Sequence, residues 1–233
     1  MSSLPTPIMS ADAQLRQSSI ISQVYAWMTA GLLVTGAVAT ATANSPALLN
    51  LIFGNPFAIW ILFIVEIGMV IGLSVAIGRL SPGAATALFL AYSAVNGLTL
   101  ASIFLVYTSA SIASTFFITA SMFGVMSLYG YVTRRDLTRL GNLLVMGLIG
   151  FVIASVVNLF LQSAALYWIV TYAGILIFVG LIASDTQKIK RLSQQATDDS
   201  NARRIAILGS LMLYLDFINL FLLLLRLFGS RRD

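Results

Sequence analysis

Long apolar segments, separated by short polar connections, fill most of the chain. Seven such segments lie at 20–43, 56–77, 82–107, 109–131, 140–161, 166–187 and 205–228. Because about 20 apolar residues of helix cross the roughly 30 Å of hydrocarbon in a bilayer, each segment is long enough to span a membrane. The pattern predicts an all-α integral membrane protein, a bundle of seven transmembrane helices in a single domain, 20–229.

Polar residues flank this domain at both ends. The stretch 1–19 predicts a flexible N-terminal tail, and 230–233 a short basic C-terminal tail. The first apolar segment ends in the sequence Ala-Thr-Ala at 41–43, which also fits a signal-peptidase site, but the segment is long for a signal peptide and only Arg16 precedes it as a basic residue. We therefore interpret 20–43 as the first span.

The composition agrees with a lipid environment. Hydrophobic residues make up 59% of the chain and charged residues only 9%, whereas a soluble domain carries about 25% charged residues. Cysteine and histidine are absent from the sequence. Their absence excludes disulfides, thiolate metal sites, cysteine and Ser–His nucleophiles, and imidazole pH sensing. Proton chemistry near neutral pH must therefore fall to carboxyl groups.

Basic residues concentrate on one side of the predicted bundle. If side A is the side of the N-terminus, its connections and segment ends hold Arg16, Arg79, Arg134, Arg135, Arg139, Lys188, Lys190, Arg191, Arg203 and Arg204. The three connections on side B, at 44–55, 108 and 162–165, hold no Lys or Arg. Cytoplasmic loops are rich in these residues, so side A and the N-terminus are predicted to be cytoplasmic. This topological role accounts for the net charge of +5, and we expect no nucleic-acid partner.

The last apolar segment leaves one topological question open. Arg226, Arg231 and Arg232 end or follow it, so a full crossing places three basic residues on side B. A re-entrant segment that turns back at the polar break Leu215–Asn219 would return them to side A. We favour the full crossing, which requires that a short tail tolerate these charges.

Three acidic residues lie within the apolar segments. Asp216 is near the middle of the last segment, with Asn219 three residues on; Glu66 is near the middle of the second, and Asp185 near the side-A end of the sixth. A charge at the bilayer centre costs about 2.5–3.5 kcal/mol or more, so such residues are candidates for function. Structural roles are open too: Asp185 could end a helix in water, Glu66 could be a neutral acid bonded to a neighbouring helix, and Arg79 could anchor the topology.

Two carboxyl groups close together in a low-dielectric interior would form a proton sensor. They do not ionise together readily, so such a pair shares a proton. When both are ionised they repel each other and become oxygen ligands suited to Ca²⁺. Protons and Ca²⁺ would then compete for one site.

Three motifs resemble those of the Bax inhibitor-1 family, also called the TMBIM or Lifeguard family. They are Leu213–Phe221 followed by Leu224–Gly229 in the last segment, the sequence Asp-Thr-Gln at 185–187, and Asn96–Ile103 in the third span. The resemblance covers nearly the whole chain, and the last-segment motif is long and specific. It implies a seven-helix bundle with the seventh helix at its centre, and a Ca²⁺ leak controlled by pH through a pair of aspartates.

The same resemblance assigns roles to individual residues. Asp185 and Asp216 occupy the positions of the pH-sensing and gating pair, which would also ligate Ca²⁺ transiently. Arg79 is the candidate for an arginine that latches onto this pair, although it is slightly out of register. Glu66 matches a span-two acid that would line the pore, and Asn219 is a further pore candidate.

Contact between the two aspartates sets a condition on the sixth helix, because Asp216 lies far deeper in its segment than Asp185 does in its own. Contact requires an aqueous vestibule, a tilted sixth span, or a helix that continues past 187, through Ile189 toward Gln194. No Gly or Pro interrupts 184–194, so the sequence allows this continuation.

We therefore expect a pH-sensitive Ca²⁺ leak channel of a bacterial inner membrane, surrounded by the lipid bilayer, with Ca²⁺ as permeant ion, no cofactor and no enzymatic activity. Three alternatives stay open. As the resemblance implies for some members, the protein could regulate a membrane-bound protease, or a stress or cell-death pathway, through binding. It could be an intramembrane aspartyl protease, although no Gly-x-Gly-Asp precedes the second aspartate. It could be a proton-coupled transporter, although we find no internal repeat.

Overall fold

Helices account for nearly all of the chain that the structure, a computed structural model, describes, which is residues 11–232. Within this range the helices are α1 (Ala11–Ala43), α2 (Pro46–Phe53), α3 (Pro56–Ala76), α4 (Pro82–Leu100), α5 (Ser102–Val106), α6 (Ser109–Val132), α7 (Thr138–Leu161), α8 (Ala164–Gln194) and α9 (Asp199–Phe228). Seven spans, with α4 and α5 together forming the third, are long and apolar enough to cross a membrane. The predicted all-α membrane fold is confirmed.

Polar side chains in the connections fix where the helices begin. Ser45, Ser81, Thr108, Ser163 and Asp198 each precede a helix and accept a hydrogen bond from the backbone N–H three residues on. Such caps satisfy donors that the first turn of a helix leaves free. In α2, α3 and α4 a proline occupies the first turn, where its missing N–H is not needed. These start signals explain why the apolar segments and the helices have nearly the same bounds.

The last helix, α9, forms the centre of the bundle. It packs against α1, α4, α6 and α8, and its apolar side chains, such as Leu211, Leu220 and Leu224, are buried around its whole circumference. Helices α3 and α7, in contrast, expose most of their apolar side chains on the outside, as Val75 and Phe160 do. A bilayer supplies the apolar surroundings that these outer faces need. The seventh span is thus central, as expected.

The end of the chain lies on side B. Helix α9 runs through the predicted polar break without interruption. Beyond it, the Ser230 carbonyl accepts a hydrogen bond from the Thr108 N–H (3.1 Å), and the Arg232 N–H donates to the Val106 carbonyl (2.9 Å). These bonds tie the C-terminal segment to the connection between α5 and α6, which is on side B. The last segment therefore crosses the bundle fully and does not re-enter.

Three helices, α1, α8 and α9, extend further on side A than the apolar segments do, and α9 begins six residues early, at Asp199. Helix α1 begins at Ala11, so a helix rather than a flexible tail accounts for 11–19, and residues 1–10 lie outside the described residues. Its early turns pack on the end of α8, where the Gln194 amide donates to the Gln17 side chain at 3.4 Å. Helix α8 itself continues to Gln194, which is one of the ways in which the sequence allowed the two aspartates to meet.

Candidate functional site

Close packing of α8 on α9 brings the two aspartates to neighbouring levels in the bundle. A Cβ atom placed on Gly209 of α9 would be 3.1 Å from Cγ1 of Ile189 on α8, so these two residues lie side by side. The helices are antiparallel, and four residues toward side B from this contact Asp185 lies level with Leu213. Asp216 is three residues further along α9, an axial offset of about 4.5 Å from Asp185.

Asp216 is the buried member of the pair. Its side chain is only 4% exposed, and its Oδ2 has no hydrogen-bond partner among the described residues. Asp185 is half-buried and close enough for its charge to act on Asp216. Neither aspartate forms an ion pair with a basic residue in the part of the chain that the structure describes. Protonation of either one therefore changes the force between α8 and α9 directly.

A cavity of about 220 Å³ connects Asp185 with side A. Lys188 of α8 and Asn142 of α7 also line it, and it reaches Thr138, the first residue of α7. A space of this volume can hold several water molecules, since each occupies about 30 Å³ in the liquid. Protons and small cations from side A thus have a short path to Asp185.

The basic residues around the pair differ from the predicted latch. Lys188, one turn from Asp185, lines the same cavity, and its charge acts on that carboxylate. Arg79 is exposed in the turn after α3 and forms no ion pair with Asp185 or Asp216. The latch contact is not formed in this structure, because α3 ends at Ala76 and does not carry Arg79 toward the pair.

The two residues that follow the first aspartate fasten α8 to its surroundings. Thr186 Oγ1 lies 3.0 Å from Ser127 Oγ on α6. The Gln187 side chain accepts a hydrogen bond from the Leu137 N–H (2.9 Å) and donates one to the Arg135 carbonyl (2.8 Å), both in the connection between α6 and α7. These bonds fix the rotation of α8 about its axis, and with it the position of its aspartate.

An exposed ion pair lies beside the side-A end of the cavity. Arg191, which lines the cavity, pairs with Asp136 and also donates to Gln187. Hydrogen bonds from Thr138, together with the contact to Arg191, lower the pKa of Asp136 to about 2. The carboxylate therefore stays ionised throughout the physiological range, although an ion pair this exposed adds little to stability.

The third predicted acid, Glu66, belongs to a separate hydrogen-bonded network. It is buried between α3 and α4, where Thr99 Oγ1 donates to it and the Asn96 side chain is also within hydrogen-bonding reach. Asn96 Oδ1 accepts from the Tyr214 hydroxyl of α9 at 3.0 Å, and that hydroxyl lies 2.6 Å from Thr35 Oγ1 of α1. The network thus joins four helices, α1, α3, α4 and α9.

Helix α9 separates this network from the aspartate pair. Tyr214 and Asp216 are two residues apart, which is about 200° around a helix. Glu66 is therefore not brought to the pair. Asn219 lies on nearly the same side as Asp216, but its amide donates to the Leu215 carbonyl of its own helix at 2.7 Å. The structure brings the two aspartates together and leaves the other predicted site residues apart from them.

Sequence reasoning included Asn96, Thr99 and Tyr214 in family motifs without giving them a role. It missed Thr35 of the network and Thr138 and Asn142 of the cavity. Asn96 carries a signal that could have identified it, because an amide inside an apolar span needs a partner. Thr35 carries none, since threonine bonds back to its own helix in many spans and here does so as well, to the Gly31 carbonyl at 2.9 Å. Asn142 and Thr138 lie near the start of α7, where polar residues are expected at a membrane surface.

The aspartate pair does not form a resident metal site on its own. No group of three or more His, Cys, Asp or Glu side chains that could hold a metal ion occurs within the described residues. Ca²⁺ takes roughly six to eight oxygen ligands, which is more than two carboxylates supply. Two carboxylates beside a cavity that holds several water molecules suit transient binding of a partly hydrated cation better than permanent binding.

Comparisons with known proteins agree with one another along the whole chain. Residues 17–233 match the model of a protein family described as inhibitor of apoptosis-promoting Bax1. The chain is 58% identical to the inner membrane protein YbhL of Escherichia coli, over 91% of this chain and 92% of that protein. It is 45% identical to the uncharacterized protein RP147 of Rickettsia prowazekii (91% and 89% covered) and 44% identical to an uncharacterized protein of Borreliella burgdorferi (94% and 95% covered). None of these names denotes an enzyme.

Proposed function

The chain belongs to the Bax inhibitor-1 family, and from this premise we propose that it is a pH-sensitive Ca²⁺ leak channel of the bacterial inner membrane. Protonation of the pair formed by Asp185 and Asp216 gates the channel. The observation that supports the proposal most is the burial of Asp216 with one oxygen unbonded among the described residues. A buried polar group without a partner destabilises the folded protein, so its presence in the core of the bundle indicates a functional role.

The proposed gate works through the contact between α8 and α9. At lower pH a proton shared by the two carboxyl groups holds the helices together. Loss of that proton leaves two negative charges at an axial offset of about 4.5 Å, and these repel strongly in a low-dielectric interior. The repulsion loosens the helix contact, and the two carboxylates offer oxygen ligands to Ca²⁺ that enters through the cavity. Flux should therefore rise with pH.

The other charged and polar residues considered for the site contribute less directly to the proposed gate. Lys188 offsets part of the negative charge of Asp185 within the cavity. Arg79 would reach the pair only in a state in which the side-A end of α3 is rearranged. Glu66 and Asn219 would line the ion path only if their present hydrogen bonds opened.

The proposed location and orientation rest on a relative and on the distribution of charge. The Escherichia coli relative is named an inner membrane protein. Basic side chains crowd the side-A ends of the spans, and cytoplasmic surfaces of membrane proteins carry such an excess. We therefore place side A, with the N-terminus, in the cytoplasm.

Ca²⁺ flux into proteoliposomes tests the function. A Ca²⁺-sensitive dye would report flux between about pH 6 and about pH 8 for the wild type and for Asp216→Asn. Wild-type flux should rise with pH. The variant keeps the size of the side chain at 216 but cannot ionise there, so it should lose most of the pH dependence, with only Asp185 left to titrate. Asp198→Asn is the matched control, because it removes an exposed aspartate on side A that does not line the cavity, and asparagine caps α9 as aspartate does.

Two further results sharpen the outcome. Glu66→Gln should lower the flux without changing its pH dependence if Glu66 lines the ion path. If no variant and no wild-type protein passes Ca²⁺ above the level of protein-free liposomes, the leak proposal is wrong, and regulation of a membrane partner through binding becomes the better account.

A further inference from the structure

A long groove between α1 and α6 has no part in the proposed gate. Both helices pack against α8 and α9, but they make few contacts with each other. Two cavities, of about 460 and 280 Å³, fill the gap between them. Tyr25 of α1 and Phe123 of α6 line both cavities, so the two adjoin, and together we call them the α1–α6 groove. The Tyr25 hydroxyl is hydrogen-bonded to Ser127 Oγ of α6 across this gap. Phe217 of α9 lines its inner part.

The α1–α6 groove is long enough to extend through one leaflet of a bilayer. Along α6 it runs from Tyr131, near side A, to Phe116, a rise of about 22 Å. One leaflet contributes about 15 Å, half of the hydrocarbon core. Apolar and aromatic side chains such as Leu32 and Phe123 dominate the lining. The groove therefore suits an extended acyl chain both in length and in chemistry.

A basic cavity lies at side A, close to the end of the groove. Its volume is about 320 Å³, and Arg134, Arg135, Lys190 and Arg191 line it together with one carboxylate, Asp136. That carboxylate is already paired with Arg191. The side chains of Arg134 and Arg135 make no hydrogen bond with any group that the structure describes. This cavity thus holds a surplus of positive charge that is available to an anion.

Tyr131 and Lys190 connect the basic cavity with the groove. Tyr131 lines the groove, and Lys190 lines the cavity. The Lys190 Nζ donates to the Tyr131 carbonyl at 2.8 Å and lies 4.8 Å from the centre of its ring. Tyrosine at the end of a span lies at the level of the lipid headgroups. The two spaces therefore stand one above the other, as the headgroup and the chain of a lipid do.

We propose that the chain binds one anionic phospholipid of the side-A leaflet, with an acyl chain in the α1–α6 groove and its phosphate on Arg134, Arg135 and Lys190. Charge complementarity selects the anionic headgroup, because clusters of Lys and Arg at a membrane surface attract anionic lipids. The concave apolar groove fixes the position of the chain, which a flat lipid-facing helix surface would not. This inference does not depend on Ca²⁺ leak, and a failure of either proposal leaves the other intact.

Lipid titration followed by native mass spectrometry tests the headgroup site. The full chain in detergent is titrated with phosphatidylglycerol or with phosphatidylcholine of the same acyl chains. The wild type should retain one phosphatidylglycerol and bind phosphatidylcholine much more weakly. The double variant Arg134→Gln, Arg135→Gln should bind phosphatidylglycerol roughly 30-fold more weakly, since each surface charge contributes about fivefold. The control Arg139→Gln, Arg203→Gln removes two side-A arginines that do not line the cavity, and it should bind as the wild type does.

Two glycine variants test the groove. A Cβ atom on Gly124, which lines the groove, would meet no other atom within 4 Å, so the side chain of Gly124→Leu can begin there without a clash and extend into the groove. Gly150 on α7 is equally open, and Gly150→Leu is the matched control. Gly124→Leu should bind phosphatidylglycerol at least tenfold more weakly than the wild type, because the leucine would occupy the place of the acyl chain. Gly150→Leu should bind it with wild-type affinity.

Three results would overturn the proposal. The first is equal affinity for the two lipids, which indicates unspecific lipid around the protein. The second is wild-type affinity in Gly124→Leu, which places any bound lipid elsewhere. The third is a dimer that Gly124→Leu converts into a monomer without any effect of phosphatidylglycerol, which would identify a second copy of the chain as the occupant of the groove.

Discussion

The buried acids on the two sides of α9 differ in their hydrogen bonding. Toward α4, Glu66 is bonded to Thr99 and joined through Asn96 to the Tyr214 hydroxyl. Toward α8, Asp216 is equally well buried but leaves one oxygen unbonded within the described residues. A satisfied buried network stabilises and orders a core, whereas an unsatisfied acid costs free energy. Burial of an acid alone therefore does not indicate function in this bundle; the lack of partners does.

The largest effect on stability should come from removing a hydrogen bond of the network that contains Glu66 and Tyr214. Tyr214→Phe removes the hydroxyl that bonds Thr35 and Asn96, and it should lower the free energy of unfolding by about 1–3 kcal/mol, because two buried groups lose a partner. Thermal unfolding in detergent measures the change. Tyr92→Phe is the control: that ring packs edge-on against Tyr214 at 5.7 Å, but its hydroxyl makes no hydrogen bond with a described residue. Equal losses in the two variants would contradict the network's role.

A smaller effect on stability, of opposite sign, should come from replacing Asp216, whose Oδ2 has no hydrogen-bond partner among the described residues. Asp216→Asn removes a buried charge and its repulsion from Asp185, so it should raise the free energy of unfolding by about 1 kcal/mol at about pH 8. Wild-type stability should fall as the pH rises from about 6 to about 8, because the folded state then gives up the proton that the pair shares. The stability of Asp216→Asn should depend less on pH in this window, because only Asp185 of the pair can still ionise. A variant less stable than the wild type at high pH would show that the carboxylate is a structural group.

The smallest effect should come from the exposed ion pair at the mouth of the cavity. The lowered pKa of Asp136, about 2, means that its stabilising contribution is complete above the ordinary value of about 3.9 and is lost as the pH falls through about 2. Asp136→Asn should therefore lower the thermal midpoint slightly at neutral pH, and the difference from the wild type should shrink in acid and in high salt. Asp199→Asn serves as the control, because that carboxylate is highly exposed, lies 3.8 Å from Arg16 and makes no hydrogen bond with a described residue. A pH-independent difference would assign the effect to packing.

The sequence was sufficient to predict the number and approximate positions of the spans. The thickness of the hydrocarbon core sets their length, and the capping residues in the connections mark where helices begin. It was not sufficient for the side-A end of α1, where Gln17 is buried by packing on α8, a contact between residues far apart in the chain. The turn that removes Arg79 from the pair did carry a signal, since Gly78 and Pro82 surround it.

The position of the aspartate pair shows a different limit. Asp185 and Asp216 could be named from the sequence as acids inside apolar segments, but their juxtaposition came only from resemblance to a family. In the structure it depends on the contact between Gly209 and Ile189, which sets how far α8 is shifted along α9. Nothing local to either residue encodes that register, because it results from the fit of two whole helix surfaces.

The central place of α9 has a consequence for how the protein is made. The ribosome delivers α9 after all of the helices that surround it, so α1, α4, α6 and α8 enter the membrane before their common partner exists. Until then each of them can rest only against lipid or against its other neighbours. Assembly into a tight bundle must therefore wait for the end of translation, and a chain that stops before residue 199 would leave six inserted spans for the cell's quality-control proteases to remove.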